Sequence, residues 1–327
     1  MAWKNLKQQS LADALIIAHD AIKELDSLNK MIDWARLEEI LKGIHAKNKG
    51  EKAWPPLMMF KCLLLQSWYK LSDPGLERQL ARDLLFRRFI GLDLSEAVPD
   101  HSTFWRFRQK LEDQQIIEKL FSAVNEQLKE QSLYIKQGEI SIVDASVIEA
   151  KQCRPNKNKQ NESTQDPEAA WNVKNGSDGK RKSTYGYKAH INIDEDSFIK
   201  NVDFTAGNIH DSKCFTSLLS GHESAIYADS AYASKDHDKW LSKRGINNRI
   251  LKRAYRNRPL TKTDRCFNRI HADVRSTVER VFGILKQHYG MAKARYMGKV
   301  RNRMRVILMS IAYNLKRGCS IQQESCA

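Results

Sequence analysis

Three carboxylates lie at positions where burial of a charge is energetically unfavourable or where basic residues surround a single acid. Asp144 interrupts the apolar, β-branched run Ile140–Ile148, and Asp229 directly follows the apolar run Ala225–Ala228. Burial of a carboxylate is unfavourable unless it is paired or binds a cation. Glu279 lies on an amphipathic helical pattern, where it is the only acid in the second half of a basic segment. Three such acids on separate elements could hold two divalent cations, which together activate a water or a 3′-hydroxyl for attack on a phosphodiester.

Each of these acids also has a purely structural interpretation. Asp144 and Asp229 could cap the turns that follow two strands. Glu279 could pair with Arg275, four residues before it, which on an exposed helix contributes about 0.2–0.5 kcal/mol. Lys286, seven residues after Glu279, lies on the same helical face. We expect Arg275 to orient Glu279 and Lys286 to contact a phosphate, since neither cation can ligate a metal.

The excess of positive charge is confined to one segment. The formal net charge is +16, and residues 241–305 contain 19 Lys and Arg against Asp264, Asp273 and Glu279. The rest of the chain is balanced, with 36 basic and 36 acidic residues. Such a local excess indicates a polyanionic partner, which could be DNA, RNA or an anionic membrane surface, and it would neutralise phosphates brought to the acids. The side chains expected to contact DNA in this segment are Arg249, Lys252, Arg253, Arg256 and Arg258.

The chain carries no pattern typical of secreted, membrane or zinc-binding proteins. Residues 1–10 lack an apolar signal core, and the most apolar run, Leu57–Trp68, is too short for a span of roughly 20 residues. The six cysteines include no CxxC pair. We therefore expect no membrane association, and a cytoplasmic, nucleoid-associated protein.

The hydrophobic periodicity changes near Tyr134. Before that point the spacing predicts helices only, and after it strands and helices alternate, which indicates one mixed sheet with flanking helices. The polar stretch Lys151–Ser183 is interpreted as a long mobile insertion. The helices are predicted at 11–25, 33–41, 55–71, 73–85, 102–111, 212–219, 235–243, 270–289 and 300–315, and the strands at 139–148, 185–193, 198–205, 225–228 and 246–251.

A few polar and aromatic residues leave alternatives open. His210 and Asp211 could line the site, although we favour Asp211 as the N-cap of the following helix. Lys188 is interpreted as a strand lysine near phosphate. Trp171 could stack on a base or pack back on the fold. The connection Gly91–His101 is long for a helix-turn-helix, so the N-terminal helices are as compatible with a structural bundle as with DNA contact.

The ordered blocks of this sequence resemble those of bacterial insertion-sequence transposases of the DDE type, with the insertion-sequence-five group as the nearest likeness. The third block spaces Arg275, Glu279 and Lys286 as that family does, with three and then six residues between them, and Ala272 stands where the family often has tyrosine. The other blocks that carry the resemblance are Ile142–Ser146, Tyr227–Tyr232, Leu71–Leu92, Pro99–Arg108, Tyr185–Lys188 and Gly207–Ser212.

The resemblance implies an RNase H-like α/β fold with Asp144, Asp229 and Glu279 as catalytic metal ligands for two Mg²⁺ or Mn²⁺ ions. It implies cleavage at terminal inverted repeats and joining of the 3′ ends to target DNA, with assembly as a homo-oligomer on DNA. Residues 1–133 then form a helical domain for DNA end binding or dimerisation, and residues 134–327 form the catalytic domain. A nuclease without strand transfer and a transposase-derived DNA-binding repressor are the alternatives.

Overall fold

The computed structural model describes residues 19–44, 52–131, 133, 140–153, 164–175, 181–255 and 258–326. The chain forms two compact units, Met1–Leu133 with Ile307–Ala327, and Tyr134–Val306. Residues 307–327, which the sequence predicts as part of the catalytic domain, belong to the first unit. The assignment differs because that stretch is apolar around much of its circumference, and its buried residues pack with the N-terminal helices. Trp68 Nε1, for example, donates to the carbonyl oxygen of Ala312 at 2.7 Å.

The first unit is built of helices whose boundaries follow local capping. Asp33 caps one helix through the backbone N–H of Ala35, as the sequence predicts. Asp83 accepts from the N–H groups of Leu85 and Phe86, and so divides the single helix expected over 73–85 into two. Asp100 caps the next helix, where Ser102 or Thr103 was expected. These helices are α1 Asp26–Met31, α2 Trp34–Leu41, α3 Pro56–Trp68, α4 Asp73–Arg82, α5 Leu84–Ile90, α6 His101–Asp113 and α7 Ile116–Glu130.

Residues 11–18 of the first expected helix lie outside the described residues. The part of it that is described begins with a short 3-10 turn, Asp20–Lys23. The helix α3 has nine buried residues among its thirteen, because it is apolar on nearly all sides. One buried charge is paired, since the guanidinium of Arg108 binds Asp73 and Gln66.

The second unit contains a six-stranded mixed sheet: β1 Ile140–Glu149, β2 Ala170–Asn175, β3 Arg181–Ile193, β4 Ile199–Ala206, β5 Ala225–Ala228 and β6 Asn247–Asn248. The strand order is β2-β3-β1-β5-β6, with β4 paired to β3. The strand β1 runs antiparallel to β3 and parallel to β5. Gly186 of β3 allows close pairing with β1, because a Cβ there would collide with the carbonyl oxygen of Ile148.

The prediction of a mobile insertion at residues 151–183 is partly wrong. Residues 170–175 form β2, which pairs with the first residues of β3. Its side chains alternate between exposed Trp171 and Val173 and buried Asn172. Asp166, just before β2, is fully buried and accepts from the hydroxyl of Tyr187 at 2.8 Å. Residues 154–163 and 176–180 of the expected insertion lie outside the described residues.

Two helices of this unit pack against the sheet, α8 Lys235–Lys243 on β6 and α9 Lys262–Gln287 on β1 and β5. The last helix, α10 Lys299–Cys326, continues into the first unit. The expected helix at 212–219 is instead two short 3-10 turns, Asp211–Cys214 and Thr216–Leu218. The expected strand at 246–251 shrinks to β6. The helix α9 packs on β1 and β5, which brings its residues to the edge where β5 ends. None of the described helices has the length and apolar character needed to cross a membrane.

Candidate active site

Asp144 and Asp229 are neighbours because two strands that are far apart in sequence pair in parallel. The last paired residues of β1 and β5 are Val143 and Ala228, and each aspartate is the next residue along its own strand. Adjacent strands lie about 4.8 Å apart, so the two carboxylates emerge side by side. Asp229 lies at a strand end, as expected, and its Oδ1 also accepts from the N–H of Ser230 at 2.6 Å. Asp144 lies in the middle of β1, beyond the point where β5 ends.

Arg275 connects the third acid, Glu279, to Asp144. Glu279 and Arg275 lie one turn apart on α9, and Arg275 Nη1 is 2.7 Å from Glu279 Oε1. The same guanidinium donates from Nη2 to Asp144 Oδ2 at 3.2 Å. The sequence predicted the Arg275–Glu279 pair, but not the bond to Asp144, which is 131 residues away. One guanidinium thus links the helix to the central strand of the sheet.

Burial and mutual repulsion disfavour the ionised form of Asp144. Burial raises the pKa of Asp144, and the charge of Asp229 raises it further. The N–H of Ala145, which donates to Asp144 Oδ1 at 2.8 Å, and the charge of Arg275 oppose that rise. Burial alone would lower the pKa of Arg275, but the combined charge of Asp144, Glu279 and Asp229 outweighs it and raises the pKa. The site therefore holds a concentrated negative charge that one cation offsets only in part.

Two lysines lie close to the acids. Burial lowers the pKa of Lys286 on α9; nearby Lys174 lowers it further, whereas Asp144 opposes the shift. The position of Lys286 fits the predicted phosphate contact. Lys174 of β2 is exposed and also acts electrostatically on Asp144. Lys174 is not among the residues that the sequence predicts for the site, because it lies in the stretch interpreted as a loop. The alternating Trp171 and Val173 beside it were the available signal for a strand.

Lys188 points to the opposite face of the sheet from Asp144. Asp144 pairs with Ile191 in the antiparallel register, so the two side chains share a face. Lys188 is three residues from Ile191 and therefore points to the opposite face. It is only 6% exposed, and its Nζ donates to Asp211 Oδ1 and to the carbonyl oxygen of Ile209, both at 2.8 Å. In this structure Lys188 is thus bound to Asp211 and a backbone carbonyl, and its contact with a phosphate stays a prediction.

The same ion pair corrects the interpretation of Asp211. We favoured Asp211 as a helix cap, but its carboxylate binds Lys188. The cap is His210, whose Nδ1 accepts from the N–H of Ser212. Both residues thus stabilise the fold on the face that Lys188 occupies. Trp171 packs edge-on against Tyr185, with ring centroids 5.2 Å apart, and 52% of the residue stays exposed.

The basic segment presents its cations at the surface beside the acids. Lys252, Arg253 and Arg258 are exposed, and Arg249 is partly buried. Arg256 lies outside the described residues. The side-chain amide of Asn268 on α9 bonds both backbone groups of Lys252, at 2.8 and 3.0 Å, which holds this stretch against the helix. The surface is therefore fixed to the helix that carries Glu279.

These carboxylates fit divalent metal by their chemistry. Asp144 and Asp229 offer hard oxygen donors on adjoining strands, and Glu279 is bound to the cation that also binds Asp144. Within the described residues, no three acidic, histidine or cysteine side chains already surround a common point. Arg275 engages two of the three acids instead.

Comparison with protein families supplies the identity of the chain. Residues 12–110 match the family described as a transposase domain, and residues 135–315 match the family described as the transposase DDE domain. The two matches follow one another in the arrangement found in insertion-sequence transposases. The second match includes all three acids and both supporting cations of α9. Because it alone spans more than half of the chain, the protein belongs to the DDE transposases, enzymes that depend on divalent metal and cut DNA to move insertion sequences.

Proposed function

We propose that Asp144, Asp229 and Glu279 are the three catalytic carboxylates and that they hold two Mg²⁺ or Mn²⁺ ions. The observation that carries this assignment is the parallel register of β1 and β5, which sets Asp144 beside Asp229, together with the single guanidinium bonded to Asp144 and Glu279. Bound there, the metal would activate a water or a 3′-hydroxyl and neutralise charge on the phosphate and leaving oxygen.

The side chains of this chain then have separable tasks in an in-line reaction on the phosphodiester. Asp144 lies in β1 and Asp229 directly follows β5, and the N–H groups of Ala145 and Ser230 fix one oxygen of each. Arg275 positions Glu279 before metal binds. Lys286, half-buried beside Asp144, neutralises a phosphate near the cut. No covalent enzyme intermediate is needed, so no tyrosine or serine nucleophile is assigned.

The DNA contacts that we propose combine the basic segment with the helical unit. Residues 249–258 would hold the phosphate backbone next to the acids. Residues 1–133 would bind the terminal inverted repeats or mediate assembly of a homo-oligomer on DNA, in the cytoplasm at the nucleoid. The products would be 3′ ends joined to target DNA. Each lost phosphate contact should flatten the dependence of log K on log salt by about 0.9.

The test is cleavage and joining by purified protein, with DNA carrying the ends of the element and Mg²⁺ or Mn²⁺. Asp144→Asn, Asp229→Asn and Glu279→Gln keep the shape of each side chain but remove its charge, so each should abolish both steps and spare DNA binding. Asp273→Asn is the matched control, because it removes an exposed acid from the same helix. Movement of a marked element at the normal rate by the Asp229→Asn variant would refute the assignment. Cutting without joining by the unmodified protein would replace strand transfer with a nuclease reaction.

A further inference from the structure

Arg275 is bonded to two of the carboxylates that the bound metal would need as ligands. Its Nη2 donates to Asp144 Oδ2 at 3.2 Å, and its Nη1 lies 2.7 Å from Glu279 Oε1. The Arg275 side chain is 21% exposed, against 57% for Glu279. Its Nε is buried and has no hydrogen-bond partner among the described residues. The guanidinium is therefore held by the acids and not by other neighbours of its own.

Both oxygens of Asp144 are already engaged. Oδ1 accepts from the N–H of Ala145 at 2.8 Å, and Oδ2 accepts from Arg275. A divalent cation that binds Asp144 must displace one of these donors or share the carboxylate with a positive guanidinium, which repels it. The Ala145 bond is local to the backbone of the strand, whereas the Arg275 side chain can rotate away. Of the two donors, Arg275 is therefore the one that a divalent cation displaces from Asp144.

We propose that Arg275 is the internal counter-ion of the metal-free site, which neutralises Asp144 and Glu279 until a divalent cation replaces it. This inference rests on the proposed function, because it takes Asp144 and Glu279 as metal ligands. The displaced guanidinium, partly exposed at the site, then needs a new anion, and a phosphate of bound DNA supplies one by bidentate hydrogen bonds. Metal binding and DNA binding are consequently coupled, and by linkage each favours the other.

The test is Mn²⁺ binding to the full-length protein without DNA, measured by isothermal titration calorimetry. Removing a charge-assisted hydrogen bond that competes for Asp144 should tighten Mn²⁺ binding, so Arg275→Gln should bind it about tenfold more tightly. Arg275→Lys keeps the charge but loses the two-pronged geometry and should fall between. Arg280→Gln is the matched control, because it removes an exposed arginine one residue from Glu279 and should leave the affinity unchanged.

Tighter binding is a readout that a damaged fold cannot produce, since disorder in the site would weaken it. Unchanged or weaker Mn²⁺ binding by folded Arg275→Gln and Arg275→Lys would overturn the inference. Asp144→Asn separates this outcome from failure of the proposed function. If that variant binds Mn²⁺ as the unmodified protein does, the metal assignment itself is wrong. If it loses binding while Arg275→Gln gains none, only the counter-ion is wrong. Added DNA should tighten Mn²⁺ binding more in the unmodified protein than in Arg275→Gln.

Discussion

Replacing Lys188 by Met should destabilise the catalytic unit without touching the DNA surface. The Lys188 and Asp211 side chains are 8% and 17% exposed, and Nζ also donates to the carbonyl oxygen of Ile209. Methionine keeps most of the length of lysine but leaves Asp211 without its cation. Breaking a buried pair in this way costs about 3–5 kcal/mol, and the partial exposure of Asp211 favours the lower end. At about 2–4 °C per kcal/mol, the melting temperature should fall by roughly 6–12 °C.

The assay is thermal unfolding of the full-length protein, with DNA affinity measured separately at a temperature where the variant is folded. Lys182→Met is the control, because Lys182 lies on the same strand but is exposed, and it should change stability by less than about 0.5 kcal/mol. The double variant Lys188→Met with Asp211→Leu should recover part of the loss. A Lys188→Met protein that melts at the normal temperature but binds DNA more weakly would refute the structural role and restore the phosphate contact.

Three further outcomes are expected. Lys174→Ala should slow cleavage of bound DNA several-fold, since it removes a cation near Asp144. Lys182→Ala, which changes the cross-strand partner of Lys174, should not slow it. Equal effects of the two variants in single-turnover assays would exclude a specific role for Lys174. Lys286→Ala should lower end binding or cleavage partially, and normal rates would argue against its phosphate contact. Burial raises the pKa of Asp194 to about 7, so stability should fall between about pH 4 and pH 7 and level off above. Asp194→Asn should lose that slope in urea titrations, and an unchanged slope would mean that another group titrates.

The local features of the site could be read from the sequence because they depend on residues close together in the chain. A four-residue apolar run followed by an acid places Asp229 at a strand end, since a short buried strand must stop where its polar residues begin. Helical periodicity places Arg275, Glu279 and Lys286 on one face of α9, because 3.6 residues make a turn. The local excess of basic residues could likewise be read from the sequence, and its contact with DNA stays a prediction.

The residue that caps each helix was harder to predict from the sequence, because several polar side chains compete for the same backbone N–H groups at the start of the helix. Asp100 and not Ser102 caps α6, and Asp83 ends one helix and caps the next. At residue 210 a histidine takes the role expected of Asp211, which is drawn away by a buried lysine 23 residues earlier. The choice among candidate caps thus depends on what else each side chain can bind in the folded protein.

Only the tertiary structure decided which distant residues meet. The register that sets Asp144 beside Asp229 joins strands more than 80 residues apart, and no periodicity within either strand specifies that alignment. The same register decides which face of the sheet a side chain occupies. A side chain an odd number of positions away along a strand lies on the other face, so Lys188 points away from the face of Asp144. Strand pairing also brought Lys174 to the site from a stretch whose composition resembles a loop. Sequence patterns fix which residues are suited to the chemistry, whereas long-range pairing selects those that reach it.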